Sequence, residues 1–590
     1  MSEIKIWATV LVAALMPVVF VTIGGGADLD IGSWRLSFWG WLGPLLALAG
    51  SLVIQLLANS IGRGRWSRCG MWLALLLFSW VAVRMWTGGD QAARIVHFAQ
   101  GGWLMLLVVG MNSLWRHRIH PKPTWKALLG SIVAGVIIFS GVVLADRADL
   151  KKRIEIGTTD NGRSDVILIV VDALRADVLG LYGAEPSPSP FLDGLASTGM
   201  VFDRAFSQAP WTVPSVASLM SSLYPTTIRP AGKENGWKVE GGNLVRPLPE
   251  DMPWLSTRFR KAGYHTAGLV KNDWLNGPSG FDRGFDVFEY VGGTKADGHS
   301  AQELVSAVQR WSKAYVKART QKRVDRFFLY VHFMDPHIPY RPPGKHHPER
   351  QRNYEGPLDG TAGSLLQALK DGPGPTVADR EHLMALYRGE VAYLDTQLRN
   401  LHQVLTEAGL WDVNTIVVFA SDHGEQFGEH GTFQHGDVYR ENVHVPLVLF
   451  GPNLQTGRLE IPVRLIDVAP TLLELAGLDG FNLSEGRSLT PALLGQSLTP
   501  IPVLTEHGGK RRVTGTTHSL LLRGKKQSVF AVEDFAEVSQ VSSDEAFEAP
   551  ELLAWLLEHE ARRIPSFSQA QPVEIDPDVL KGLQELGYLD

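Results

Sequence analysis

Val166–Val171 is a continuous apolar run that stops at Asp172. A run that is apolar at every position belongs to a strand covered on both faces, the usual central strand of a parallel sheet. Similar runs occupy Phe327–Phe333, Ile416–Ala420 and Val445–Phe450, with helical patterns between them. The clearest of these spans 380–409, where Leu383, Leu386, Leu394, Leu398, Leu401 and Leu405 recur at helical spacing and Gly409 ends the pattern. Strands alternating with helices predict an α/β domain on a mostly parallel sheet. The segment 340–376 is rich in Pro, Gly and charge and predicts a long loop.

The first 146 residues read differently. Apolar stretches occupy approximately 6–23, 36–57, 71–86, 95–114 and 127–145. A helix needs about 20 mostly apolar residues to cross a bilayer, and a cleaved signal would give one short stretch rather than a succession. The expectation is a helical transmembrane bundle of about five helices over 1–146, a linker over 147–163, and a soluble domain over 164–590 with a small C-terminal α+β part from about 455. The loop 59–70 contains Arg63, Arg65 and Arg68, and the loop 115–126 contains Arg116, Arg118, Lys122 and Lys126, neither with an acid. Asp28, Asp30 and Asp90 fall in the intervening loops. Basic loops stay cytoplasmic, which predicts a multi-pass protein of the inner or plasma membrane with an extracytoplasmic soluble domain. The formal net charge of −5 argues against a nucleic-acid partner. Cys69 is the single cysteine and allows no intrachain disulfide.

In open α/β sheets ligands bind beyond the carboxyl ends of the strands. Asp172 follows the first apolar run, His332, Asp335 and His337 lie in or just after the second, and Asp422 and His423 follow the third. One Asp after a strand is ordinarily a helix cap; three strand ends bearing metal-ligating side chains predict a shared metal site. The mixed oxygen and nitrogen donors suit Zn²⁺ or Mn²⁺ better than Ca²⁺, which prefers oxygen alone, with Ca²⁺ and Mg²⁺ as the alternatives. Such an ion polarises a phosphoryl or sulfuryl oxygen and lowers the pKa of a bound hydroxyl. Trp211-Thr212-Val213-Pro214-Ser215 opens an apolar helical run ending near Leu223. A helix N-terminus attracts anions. Thr212 there reads either as an ordinary N-cap or as a nucleophile awaiting activation by a base or metal.

The residues 169–177, Ile-Val-Val-Asp-Ala-Leu-Arg-Ala-Asp, resemble the opening motif of sulfatases and their relatives in the alkaline phosphatase superfamily. Pro190-Phe191-Leu192-Asp193, Met334-Asp335-Pro336-His337, the run 388–395, and Ser421-Asp422-His423-Gly424-Glu425 are similar to further motifs of that family, in family order, as are 466–471 and 586–589. The resemblance implies an alkaline-phosphatase-like α/β domain over about 164–590. It implies that Asp172, Asp422 and His423 bind a metal shared with the oxygen of Thr212. It implies that His337 and His435 contact the transferred group or a second metal, with Lys271 and His332 as further candidates for stabilising its charge.

The departures from the family pattern redirect the chemistry. Sulfatases usually carry Cys-x-Pro-Ser-Arg with its first residue converted to formylglycine; this chain has Thr212-Val213-Pro214-Ser215-Val216, and Ala173 stands where the second Asp of an Asp-Asp pair is usual. A threonine nucleophile behind membrane helices resembles lipoteichoic acid synthases and phosphoethanolamine transferases. The leading expectation is therefore transfer of a phospho-group from a membrane lipid to an envelope acceptor, such as a glycan, through a phospho-threonine. The alternative is a sulfuric ester or phosphodiester hydrolase working without formylglycine. An expectation of another class is a non-catalytic sulfatase-like lipid sensor.

Overall fold

The computed structural model of the protein describes residues 164–577 apart from 230–243, 293–299, 347–353, 371–373, 543, 563–566, 569–570 and 576, and before them only 29–31 and 34–36. Those early residues form a short antiparallel hairpin, Leu29–Ile31 with Trp34–Leu36.

The centre of the domain is an eight-stranded sheet. Its strands are β1 (Val166–Val171), β2 (Met200–Phe202), β3 (His265–Val270), β4 (Val287–Tyr290), β5 (Phe327–Phe333), β6 (Ile416–Ser421), β7 (Leu447–Phe450) and β8 (Gly457–Leu459). Their spatial order is β8-β2-β7-β6-β1-β5-β3-β4. Strand β1 is parallel to β6 on one side and to β5 on the other, and β5, β3 and β4 continue in parallel. Only β7 runs against the rest, antiparallel to both β6 and β2. The sheet is thus mostly parallel, as the continuous apolar runs require. Val166, Leu168 and Val170 of β1 enter one core cluster and Ile167, Ile169 and Val171 the other, so the strand is buried on both faces. Burying each such side chain is worth about 1.5–3 kcal/mol.

The helices that position the site are α1 (Pro190–Ala196), α2 (Thr212–Ser221), α3 (Ser300–Thr320), α4 (Ala362–Lys370) and α5 (Val377–Glu407). Helix α5 opens on a capping box, with Thr376 and Asp379 satisfying each other's backbone amides, and Gly409 takes a left-handed φ of 68° just beyond its end. Beyond the sheet lies an antiparallel meander of β9 (Val503–His507), β10 (Lys510–Thr514), β11 (His518–Arg523) and β12 (Lys526–Ala531). Helix α6 (Ala549–Ala561) packs Leu552 and Leu556 against Leu504, Val513 and Leu520 of that meander.

Three expectations are corrected. Val445–Phe450 is not one parallel strand: Val445 pairs with Ala205 in a separate small sheet, and only Leu447–Phe450 joins the main sheet, antiparallel. The segment 340–376 contains α4 and a 3₁₀ turn at Gly344–His346, since Leu365 and Ala362 bury an apolar face against the core that a loop could not supply. The multi-pass membrane location is also overturned: among the described residues no helix is long and apolar enough to cross a membrane. The five apolar stretches lie outside the described residues, save Leu36, which closes the hairpin.

Candidate active site and metal centre

The register of the sheet brings the chemistry together. Val171 pairs with Phe333 of β5 on one side and Ser421 of β6 on the other. Asp172 and Asp422, each one residue past its strand, therefore emerge side by side, with His332 on the adjacent strand. The backbone continues the ladder there, because Asp172 N–H donates to the Phe333 carbonyl at 2.9 Å and Asp422 N–H to the Val171 carbonyl at 3.2 Å. Ala173 adopts a left-handed φ of 54°, turning the chain so that its N–H donates to Asp422 Oδ1 at 3.3 Å. Gly424 is required by close packing: a Cβ there would lie 1.9 Å from the Glu441 carbonyl oxygen.

Asp172, His332, Asp422 and His423 are fully buried. Each carboxylate has one oxygen held by protein donors and one left over. Asn272 Nδ2 donates to Asp172 Oδ2, while the His423 N–H donates to Asp422 Oδ1 at 2.8 Å. Asp172 Oδ1, Asp422 Oδ2 and His332 Nε2 are buried with no hydrogen-bond partner. One ligand atom from each of Asp172, His332 and Asp422 lies within 4.8 Å of the others. His423 Nε2 lies 3.2 Å from Asp172 Oδ1 and 3.8 Å from Asp422 Oδ2. His423 Nδ1 faces the Gly424 carbonyl at 2.7 Å, so Nδ1 carries a proton and Nε2 is the ring atom left for a ligand.

Lone pairs converging in a dry site repel one another unless a cation lies among them. Donors around one ion with bonds of about 2.1 Å sit roughly 3–4 Å apart; His423 Nε2 meets that spacing to both carboxylates, at 3.2 and 3.8 Å, and the Asp172, His332 and Asp422 atoms lie within 4.8 Å of one another. The ionisation of the two acids points the same way. Burial pushes Asp172 up, but the nearby His337, His332 and His423 outweigh it and hold the carboxyl well below the usual range. Burial and then the Asp172 charge push Asp422 well above it. Two carboxylates so placed resist joint ionisation without a counter-charge. Burial also lowers His332 and takes His337 down to about 4, which keeps both imidazoles neutral and able to ligate.

Thr212 Oγ1 is fully buried and lies 3.4 Å from His423 Nε2. Thr212 is the first residue of α2, and Trp211 is the N-cap, with no side-chain cap bond. The ordinary capping explanation for Thr212 therefore fails. Ser215, one turn on, donates to the Asp422 carbonyl at 2.6 Å and ties the helix start to the metal-ligand loop.

The remaining histidines line the same centre. The His435 ring lies 4.7 Å from that of His423 and 5.0 Å from that of His337, centroid to centroid. His435 Nδ1 is 3.2 Å from Glu425 Oε1, and His337 Nδ1 is 2.7 Å from the Ile338 carbonyl. Lys271 joins the cluster only through its backbone, donating N–H to the His332 carbonyl at 3.1 Å; its Nζ is held by Glu303 and by the Gly292 carbonyl at 3.1 Å. The functional residues that sequence reasoning passed over are Asn272, Glu425, Ser215 and Tyr330. Glu425 stands inside the Ser-Asp-His-Gly-Glu motif, and Asn272 follows β3 by two residues, so strand-end position was the available signal for both.

Residues 164–478 match the family model described as sulfatase. A sulfatase of Formosa agariphila is 26% identical over 388 residues, 59% of this chain and 75% of that protein. The human iduronate 2-sulfatase is 27% identical over 408 residues, 57% of this chain and 70% of that protein. The solved phosphonate monoester hydrolase of Agrobacterium radiobacter superposes with a TM-score of 0.55 at 21% identity, covering 70% of this chain and 100% of that one. With the buried Asp/His centre at the strand ends and Thr212 at the helix start, the chain is an enzyme of the sulfatase family, in the alkaline-phosphatase-like superfamily.

Proposed function

We propose that the enzyme hydrolyses a sulfate or phosphorus ester in two steps, through a covalent bond to Thr212 Oγ1. The observation that carries this reading is the buried Thr212 hydroxyl at a helix N-terminus, 3.4 Å from His423 Nε2, which itself lies 3.2 Å from Asp172 Oδ1 and 3.8 Å from Asp422 Oδ2. Asp172, Asp422 and His423 would hold a divalent ion, Zn²⁺ or Mn²⁺ before Ca²⁺ or Mg²⁺, which supplies a lowered hydroxyl pKa and charge for the transferred group's oxygens. The Thr212 and Val213 amides at the start of α2 have no intrahelical acceptor and would be available to the same group, whereas Pro214 has no N–H to offer. His435, its Nδ1 3.2 Å from Glu425 Oε1 and its ring beside those of His423 and His337, would be the group that hands a proton to the leaving oxygen. His337 stays neutral, because burial takes it down to about 4, and with Nδ1 committed to the Ile338 carbonyl it would orient the water that releases the intermediate rather than take its proton. Thr212 gives up its hydroxyl proton as Oγ1 bonds to sulfur or phosphorus and the ester bond breaks; water then bonds to the same atom as the Oγ1 bond breaks, Thr212 takes a proton back, and the free sulfate or phosphorus acid leaves.

The relatives named sulfatase and iduronate 2-sulfatase support hydrolysis over the expected transfer from a membrane lipid. Sulfated sugars are accordingly the first substrates to test. Phosphorus esters stay beside them for one reason. Thr212 offers no second geminal hydroxyl, so release depends on water attacking the central atom, a route well suited to phosphorus. The test is a panel of aryl sulfates, phosphate mono- and diesters and phosphonate esters, assayed with the wild type and Thr212→Ala. Loss of turnover by at least about a thousandfold in Thr212→Ala is expected; unchanged turnover would refute the nucleophile.

A further inference from the structure

We propose that His332 is itself a metal-ligating residue, a nitrogen donor from β5 that takes the place of the carboxylate missing at Ala173. The inference rests on the metal-assisted reading above and adds to it a ligand and a basis for metal choice.

His332 is fully buried at the core of the cluster. Its Nε2 has no hydrogen-bond partner and lies 3.8 Å from Asp172 Oδ2 and 4.0 Å from Asp422 Oδ2. An imidazole nitrogen buried unpaired against two carboxylates is a costly arrangement without a ligand between them. His332 Nδ1 lies 2.7 Å from the Tyr330 hydroxyl, two residues earlier on the same face of β5. When Nδ1–H donates to that hydroxyl, Nε2 carries the lone pair, the tautomer a bound cation would select. A ligating histidine whose other nitrogen donates to an orienting partner is the usual arrangement at metal sites.

The backbone shows why the donor comes from this strand. Ala173 carries no ligating atom, and its N–H is spent on Asp422 Oδ1. The register places His332 beside Val170, two residues before Asp172, so the next side chain able to reach the same space comes from β5. Exchanging a carboxylate for an imidazole removes a negative charge and a hard donor. Zn²⁺ and Mn²⁺ gain over Ca²⁺ by that exchange.

The test measures binding without substrate. Full-length protein and the variants His332→Ala, His332→Asn, Tyr330→Phe and Ala173→Asp/His332→Ala are stripped with chelator and titrated with Zn²⁺, Mn²⁺ and Ca²⁺. The Co²⁺-loaded forms are compared by their visible spectra. Zn²⁺ affinity is expected to fall at least about tenfold in His332→Ala and by a smaller factor in Tyr330→Phe, with an altered Co²⁺ spectrum in His332→Ala. The double variant should recover binding with its preference moved towards Ca²⁺. His332→Asn, which keeps a polar group in the space, separates ligand loss from misfolding when its thermal unfolding matches the wild type. Wild-type Zn²⁺ affinity and an unchanged Co²⁺ spectrum in a folded His332→Ala or His332→Asn would overturn the proposal. A failed Thr212 adduct with normal metal binding would instead count against the hydrolytic reading alone.

Discussion

Asn272 illustrates how the site is built at the scale of single residues. Its Oδ1 accepts the Trp274 N–H at 2.8 Å, which fixes the amide so that Nδ2 points at Asp172 Oδ2. Pinning one oxygen leaves the other for the ion. Removing that restraint in Asn272→Ala should weaken metal binding by about 10–100-fold with little change in fold, as calorimetric titration would show. Side chains that act through geometry of this kind leave no periodic trace, and Asn272 was invisible in the sequence beside the more conspicuous Lys271. Lys271 in turn was over-read, because a buried cation after a strand looks like an anion ligand until Glu303 is seen to hold it. The metal-ligating and nucleophilic residues were legible because each stands at a strand or helix end, where position alone implies a shared pocket. What spacing could not resolve was whether Thr212 capped its helix, a question settled by the backbone of Trp211.

Elements lock to one another through groups with no catalytic duty. Asp395, on α5, accepts the Phe191 N–H at 3.0 Å and the Leu192 N–H at 2.8 Å, and so caps α1 from another helix. Two of the motifs that resembled the family, 190–193 and 388–395, are the two halves of this contact. Burial raises the Asp395 carboxyl to about 6 despite those amides. Asp395→Ala should cost about 1 kcal/mol or somewhat more, measured by denaturant unfolding. Gly424→Ala should be worse, because the clash is with backbone; a soluble variant would show displaced His423 through weakened metal binding. The four apolar runs located the strands β1, β5, β6 and β7. Strand β3 leaves no such run, because Gly268 and polar Thr266 interrupt the apolar pattern, and neither does β8, whose Gly457 and Arg458 are exposed. The direction of β7 was hidden because burial on both faces gives the same pattern to parallel and antiparallel strands.

At the scale of the whole molecule, stability should depend on both metal and acid. An ion bound only by the folded state stabilises it by about 2.7 kcal/mol at a hundredfold excess over Kd, so chelation should lower the melting temperature reversibly. Burial, reinforced by Arg440, takes His444 down to about 3, and its Nε2 donates to the Asp203 carbonyl at 2.8 Å. Between an ordinary histidine value near 6.5 and about 3 the unfolded chain binds a proton that the folded chain does not, so this contribution to stability falls as pH falls through that window. His444→Gln keeps the donor and loses the titration; its unfolding free energy should vary less steeply over pH 3–6.5 than that of the wild type. The measurement that bears most directly on the central claim is intact-protein mass spectrometry with peptide mapping after rapid quench, using ³⁵S-sulfate and ³²P-phosphorus esters in parallel. A labelled adduct is expected on Thr212, absent in Thr212→Ala and prevented by chelation, with the isotope identifying the transferred group. Turnover with no adduct on Thr212 under single-turnover conditions, or a label mapped to another residue, would contradict that claim.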